Sequence, residues 1–272
     1  MIKVTDEIIT IPSRDGITNK GDAGRVLIIG GNVGMCGAVA FAAESAYRTG
    51  CGLVRACVHS DNRIPMQILV PEAVLSFWDD GIDESLEWAD AVVIGVGFGV
   101  GETQKKLLKK VINCCNKPVV IDADGLNILA KSQTLISHLN DKVVLTPHLA
   151  ELSRLTGESI DNIKNNIFKI LCDKFPRVTV AAKSDVTCIR CLNGEEYVSA
   201  SGDSSLSTGG TGDVLAGMIG SFLAQGMALD RAVVSAVYLH GKAGKKAGEC
   251  LGQHGVIARD VIAEIPSVLK EY

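Results

Sequence analysis

An α/β fold, a mostly parallel sheet covered by helices on both faces with an antiparallel edge, follows from three features of this 272-residue sequence. Short Val/Ile-rich runs alternate with segments of helical spacing over most of the chain. Several of those runs are apolar at every position, as strands buried on both faces require. The composition is 47% apolar but only 4% aromatic, with 29 glycines, which suits layers of small aliphatic side chains better than an aromatic binding platform. No linker, repeat or low-complexity tract interrupts the order, so residues 1–272 are expected to form a single domain.

The elements follow in sequence. Residues 1–24 are mixed and polar, with Pro12 and an Asp15-Gly16 turn, and suggest an edge or docking segment. Arg25–Ile29 is a β run that opens into the glycine loop Gly30–Gly37, and Ala38–Arg48 has helical spacing with small side chains. The loop lacks the G-x-G-x-x-G spacing of a dinucleotide fingerprint, and no acidic residue closes the next strand, Leu53–Cys57. Gly37, Ala38, Ala42 and Ala43 instead imply close packing of another helix or a ligand.

A strand at Ala73–Phe77 and a helix at Asp83–Ala89 precede Ala91–Gly99, a fully apolar run marked by Gly95, Gly97 and Gly99. This is a central strand whose carboxyl end lets a ligand approach the backbone. Helix Thr103–Asn113 follows, and then two strands with polar tips. Pro118–Asn127 carries Asp122, Asp124 and Asn127, and Val143–Glu151 carries His148. Thr146 can cap the next helix with Pro147 at its first position and Gly157 closing it. A helix terminus there disfavours the charged imidazolium of His148. Beyond helix Ser159–Lys174, the short β runs Val178–Lys183, Val186–Arg190 and Glu196–Ser199 predict an antiparallel meander. Helices at Ala228–Gly248 and Val256–Lys270 end the chain. Residues near 99, 124, 148, 183 and 213 should fall along one rim of the sheet.

Between meander and final helices lies the stretch Ser204–Leu223, the chain's strongest chemical signal. Gly209, Gly210 and Gly212 can turn successive N–H groups toward one point, and the apolar run from Val214 gives a helix whose positive end faces that point. Such a terminus favours an anion, and Asp213 stands beside it as a base for phosphoryl transfer to a hydroxyl. Glycines and aspartate also occur in ordinary helix starts. Three glycines in four residues, with Ser207, Thr208 and Thr211 around them, suit a phosphate cradle better than a mere turn. There is no Walker A sequence, so a P-loop NTPase is not expected.

Composition removes several function classes. The formal net charge of −4 leaves no basic field for nucleic acid or an anionic membrane. The longest apolar stretch, Val214–Leu229, is broken by Gln225 and Gly226 and falls short of the roughly 20 residues a bilayer span needs. Nine cysteines, odd in number and without a secretory signal, point to a reducing cytoplasm. Cys188 and Cys191 form a C-x-x-C in a β run, where residues three apart face opposite ways and no second pair completes a zinc site.

The motifs together resemble the ADP- or ATP-dependent NAD(P)H-hydrate dehydratases of the ribokinase-like superfamily. The resemblance rests on the Gly30–Gly37 loop, Ile94–Gly99, Asp122–Asn127, Thr146–Glu151, Lys183–Thr187 and Ser207–Asp213, nearly the whole chain in the family's order. It implies a three-layer α/β/α sandwich and an enzyme that repairs the 6S hydrates of NADH and NADPH. A nucleotide phosphorylates the hydroxyl, and loss of phosphate restores the reduced cofactor. By the same resemblance Asp213 is the base, and the N–H groups of Gly210, Thr211, Gly212 and Asp213 steady the transferring phosphoryl. Lys183, Ser184, Asp185, Val186, Thr187 and Gly212 would hold ADP or ATP with Mg2+. Ala38, Gly99, His148 and Asp213 would line the pocket for the damaged dinucleotide. A homo-oligomer, with a tetramer suspected, is also implied.

The family usually has glycine where Ser184 stands and often proline where Val96 stands, which bears on local backbone shape. The epimerase domain often fused ahead of such domains is not expected, because the segment before Arg25 is short. The same cradle and aspartate would serve a kinase for a thiazole, pyrimidine or pyridoxal alcohol. A non-catalytic nucleotide sensor, with Asp213 only a cap, is the alternative of another class.

Overall fold

In the computed structural model, which describes residues 1–272, every strand joins one ten-stranded sheet. The first strand, β1 (Ile2–Lys3), is the edge that residues 1–24 were expected to supply. β2 (Arg25–Ile29) leads through the glycine loop to α1 (Cys36–Arg48), then β3 (Leu53–Val58), α2 (Arg63–Leu69) and β4 (Val74–Phe77). α3 (Asp83–Trp88), β5 (Ala91–Ile94), α4 (Glu102–Cys114) and β6 (Val119–Ile121) follow. Two short helices, α5 (Asp124–Ala130) and α6 (Gln133–Ser137), separate β6 from β7 (Val143–Leu145). α7 (Leu149–Thr156) and α8 (Ile160–Lys174) precede the β8 (Thr179–Ala182), β9 (Thr187–Arg190) and β10 (Glu196–Ser199) meander. The last helices are α9 (Thr211–Ala224), α10 (Leu229–Leu251) and α11 (Ala258–Leu269).

The strands lie in the order β1-β10-β9-β8-β7-β6-β5-β2-β3-β4. Pairing is parallel throughout except where β9 meets β8 and β10, so the expected antiparallel meander is present and β1 adds a parallel edge to it. Alternation along each strand creates two cores. Val26, Ile28 and Val93 face one side with α1, α9, α10 and α11, whereas Leu27, Ile29, Val92 and Ile94 face the other with α4, α5, α7 and α8. The result is the three-layer α/β/α sandwich. The central strands β5, β6 and β7 are apolar at every position because both of their faces are covered.

Of the small residues of α1, Ala42 and Ala43 serve helix packing, whereas a Cβ at Gly37 would meet nothing within 4 Å. Ala42 and Ala43 are buried, and a side chain at Gly217 of α9 would collide with the carbonyl of Ala42, so the two helices touch backbone to backbone. Gly220 likewise leaves room for Val93 beneath α9. Helices α2, α5 and α6 have no clear periodic signal. Pro65 and the exposed Ile64 and Ile68 blur α2, and α5 starts inside the turn-like Asp122-Ala-Asp-Gly string. No helix is long and apolar enough to cross a membrane, and all nine cysteines are free thiols.

Chain order reverses at β2, where β3 and β4 leave on one side and β5 returns on the other. Ligands of open parallel sheets bind outside the carboxyl ends of strands at such a switch point. Here the loops after β2 and β5 are tied together by Gly31 N–H to Val96 O at 3.0 Å and Asn32 N–H to Gly97 O at 2.7 Å.

Candidate active site

The rim above these strand ends is dominated by the start of α9. Of the glycines expected to bend the chain there, only Gly210 has a positive φ (95°), as the residue before the first helical turn. Gly209 and Gly212 have ordinary angles. Gly212 matters for space instead, since a Cβ there would lie 3.2 Å from the Lys183 Nζ. The first helical bond runs from Val214 N to Gly210 O, and the N–H groups of Gly210 through Asp213 donate to no other protein atom. Four free donors at a helix N-terminus form an anion site.

Below them lies a cluster of charge. Asp122, at the tip of β6, is 1% exposed and accepts from Lys183 Nζ at 2.8 Å. Burial alone would lower the Lys183 pKa, and Asp122, Glu151 and Asp213 outweigh it and hold the ammonium charged. Asp213 is half-buried, and its pKa is pushed up to about 8 by that burial and then by Asp122, against the opposing pull of Lys183. A carboxylate poised near neutrality is a stronger base than an ordinary aspartate. Asp124 is committed elsewhere, accepting from Gly99 N–H at 2.7 Å and from Asn127 Nδ2 at 3.2 Å. Ala123, between the two aspartates, has φ 48° without being glycine, a strained conformation of the kind that clusters at functional sites.

The structure moves one expected helix boundary. Thr146 and Pro147 are not the start of α7; His148 is its N-cap. Residues 146–148 stay extended because Lys183 N–H donates to Pro147 O at 2.8 Å and His148 bridges Lys183 in parallel register. The His148 Nδ1 accepts from the N–H groups of Ala150 and Glu151 at 3.1 and 3.3 Å, which fixes its tautomer with the proton on Nε2. Burial first, then Lys183 and Arg154, lower its pKa, so the ring is neutral as expected. Gly157 closes the helix in the left-handed conformation.

Beside α9 opens a cleft of about 620 Å³, within the roughly 300–1,000 Å³ range of small-molecule sites. Lys183, Ser184, Asp185, Thr187, Thr211 and Gly212 line it, whereas Val186, Gly210 and Asp213 do not. Ala38, Gly99 and His148 also lie outside it. Ala38 abuts Gly97, where a Cβ would come within 2.9 Å of it, and the missing side chain of Gly99 makes room for Asn32. Sequence reasoning missed the far wall of the cleft, which includes Ser201, Asp203, Leu206, Leu215, Val237 and His240. The signal available for His240 was a polar residue on the otherwise apolar face of α10.

No group of three or more His, Cys, Asp or Glu side chains could hold a metal ion as a protein cage. The carboxylates at the rim are spent on Lys183, on Gly99 and on one another's charge. A divalent cation here would have to be carried mainly by ligand oxygens, which is how magnesium reaches most nucleotide sites.

A ten-stranded three-layer sandwich with a free-donor helix start, a buried lysine–aspartate pair and an aspartate at the rim defines a ribokinase-like protein. A ribokinase-like superfamily protein from Enterococcus faecalis matches it with TM-score 0.89 and 28% identity, over 100% of this chain and 96% of that one. A family model described as NAD(P)H-hydrate dehydratase matches residues 26–267, and the chain belongs to that family. It is 35% identical to the ADP-dependent (S)-NAD(P)H-hydrate dehydratase of Lactococcus lactis, over 100% of this chain and 99% of the relative.

The ADP/ATP-dependent NAD(P)H-hydrate dehydratase of Bacillus subtilis, co-crystallised with ATP and Mg2+, superposes with TM-score 0.85 at 27% identity, covering 96% of this chain and 94% of that one. The bifunctional NAD(P)H-hydrate repair enzyme of Escherichia coli is 36% identical, but the chain, matched over 93% of its own length, spans only 48% of that relative. A hydroxyethylthiazole kinase from Pyrococcus horikoshii shares the fold alone, with TM-score 0.65 and 19% identity over 93% of each chain.

Proposed function

We propose that this chain dehydrates the 6S hydrates of NADH and NADPH at the expense of ADP or ATP. The observation that carries the reading is the free-donor start of α9 with Asp213 beside it, in a chain that aligns end to end with a dehydratase. Asp213 takes the proton from the substrate hydroxyl as that oxygen attacks the terminal phosphorus of the nucleotide. The N–H groups of Gly210, Thr211, Gly212 and Asp213 stabilise charge on the transferring phosphoryl, where fixed dipoles act most strongly. AMP leaves when ADP is the donor, and ADP when it is ATP. The C–O bond to the phosphorylated oxygen then breaks as the adjacent ring carbon gives up a proton, so that phosphate leaves and the new ring double bond restores the reduced nicotinamide.

The cleft lined by Lys183, Ser184, Asp185, Thr187 and Gly212 supports the nucleotide assignment, with exposed Val186 at its margin. Ala38, Gly99, His148 and Asp213 are assigned to the hydrated dinucleotide on the opposite side of the loop. The neutral His148 offers its Nε2–H to that substrate. Mg2+ carried by the nucleotide would supply neutralising charge to its phosphates, beside Lys183 and the free N–H groups of α9. Two ligands would then meet at Asp213 without a Rossmann fingerprint. Kinase activity on a vitamin alcohol rests on shared fold alone.

The deciding experiment incubates the protein with chemically hydrated NADH, Mg2+ and either ADP or ATP. We expect dihydronicotinamide absorbance to return together with phosphate and AMP or ADP. No return with either nucleotide, accompanied by phosphorylation of a thiazole, pyrimidine or pyridoxal alcohol, would transfer the assignment to a kinase.

The cradle makes a separate prediction. A Cβ at Gly210 would lie 2.6 Å from Phe41 Cδ2 and 3.0 Å from the Ala258 Cβ, at a φ of 95°. Gly210→Ala should displace the donors, lower turnover by about 10²-fold and destabilise the fold by roughly 1–3 kcal/mol. Steady-state rates and denaturant midpoints measure both effects. Wild-type values for the two would show that the donors need no fixed geometry.

A further inference from the structure

Val237, His240 and Gly241 fall on one face of α10 by helical spacing, and all three line the cleft beside α9. Gly244, one turn further on, has no side chain to keep Leu206 from packing on the same face. The hydrophobic part of the lining is Leu206, Leu215 and Val237, gathered against α9 and α10, whereas Lys183 and Asp203 belong to its polar part. His240 stands at the apolar wall. It is 6% exposed, and its Nε2 is buried with no hydrogen-bond partner. Arg25 Nε, Arg55 Nε, Ser76 Oγ and Ser205 Oγ are stranded in the same way, but none of those residues lines the cleft.

A buried imidazole nitrogen left unpaired is unfavourable until a ligand supplies its partner. Burial and then Lys183 push the His240 pKa down to about 4, against a hydrogen bond between the ring and the Thr211 backbone, so the ring is neutral and Nε2 is the nitrogen left without a close partner. A neutral imidazole offers one donor and one acceptor, which matches the edge of a heteroaromatic base better than a phosphate. The phosphates have their own partners in Lys183 and the free N–H groups of α9, and the Asp203 carboxylate repels them from the remainder of the cleft.

We propose that His240 is the specificity residue of the cleft. It hydrogen-bonds the edge of the donor's adenine ring, which packs along Leu206, Leu215 and Val237, and so selects adenine over 6-oxopurine nucleotides. This rests on the reading of the cleft as the nucleotide site.

The test compares direct calorimetric binding of ADP, ATP and their inosine counterparts to the wild type, His240→Ala and His240→Gln, with hydrate repair and thermal unfolding measured alongside. The wild type should favour adenine nucleotides by roughly 10-fold or more. His240→Ala should weaken ADP and ATP by about 5- to 30-fold and the inosine nucleotides by less than about twofold. His240→Gln should restore part of the preference.

An adenine preference that survives His240→Ala, or a loss equal for both bases, overturns the proposal. If neither variant folds, the His240 ring resonances of the wild type decide it, because an ADP titration that leaves them unmoved also overturns it. Intact base selection without hydrate repair would remove the dehydratase reading and leave His240 in place. No nucleotide binding by the wild type would remove both.

Discussion

Asp213→Asn should cut hydrate repair by roughly 10³-fold or more while leaving nucleotide binding largely intact. Asparagine keeps the shape and the first-turn position but cannot accept the hydroxyl proton. The wild-type rate should depend on pH in the sense set by this carboxyl. Only its ionised form is a base, so kcat/KM should climb as pH rises toward about 8, where Asp213 titrates, and level off above it. The asparagine variant should lose that limb.

The same shift has an opposite consequence for stability. The Asp213 pKa is raised from its unfolded value of 3.8 to about 8, so the native state binds a proton that the unfolded chain has released. Its contribution to stability is therefore fully present below about pH 4 and is lost as pH rises through about 8. Asp213→Asn should leave stability nearly unchanged at pH 4 and raise it by about 1–3 kcal/mol at pH 9, discounted for the residue's partial exposure. Unfolding curves at the two pH values measure this. Unchanged turnover would end the assignment of the base, and lower stability at pH 9 would show that the carboxylate is held by partners rather than strained.

Lys183→Met should have the largest effect on the fold. Its Nζ meets Asp122 at 2.8 Å, and the Asp122 side chain is 2% exposed. Removing the ammonium leaves a buried carboxylate unpaired, which typically costs about 3–5 kcal/mol. Lys183→Met paired with Asp122→Asn should recover most of that loss, because the uncompensated charge goes with it. Nucleotide binding should stay weak in the double variant, since the ammonium proposed to meet the phosphates is still missing. Denaturant midpoints at constant m-value separate the two effects. A single variant within about 1 kcal/mol of wild type would show that Asp122 is satisfied without Lys183.

Much of the layer structure is written locally. Arg25–Ile29 and Ala91–Ile94 are apolar at nearly every position because both faces are covered, and a run of that kind declares a central strand without knowledge of its neighbours. The string Thr208–Asp213 likewise declares a helix start with free donors, since those N–H groups are unpaired in any α-helix. Helix α5 was hidden because Asp122-Ala-Asp-Gly has the composition of a turn, and the helix is held there by close packing of Gly125 against Ile121 and Ile94. Thr146 has the chemistry of a cap, yet the cap is His148, because pairing of residues 147 and 148 with Lys183 keeps that stretch extended.

The sequence by itself determined the fold class, the two glycine loops, the α9 cradle and the polar tips at Asp122, His148, Lys183 and Asp213. Each is carried by periodicity or by the chemistry of a few adjacent residues. Only the tertiary structure decided which tips meet. Sheet order places β7 between β6 and β8, and a lysine side chain spans the two strand spacings of about 4.8 Å each to reach Asp122. That contact raises Lys183, and Asp122 in turn helps to push up Asp213, so this carboxyl is tuned by a residue 91 positions away in the chain. His240 belongs to the same category. Its face of α10 looks like core in one dimension and becomes the wall of a cleft only when α9 and the segment around Leu206 are packed beside it.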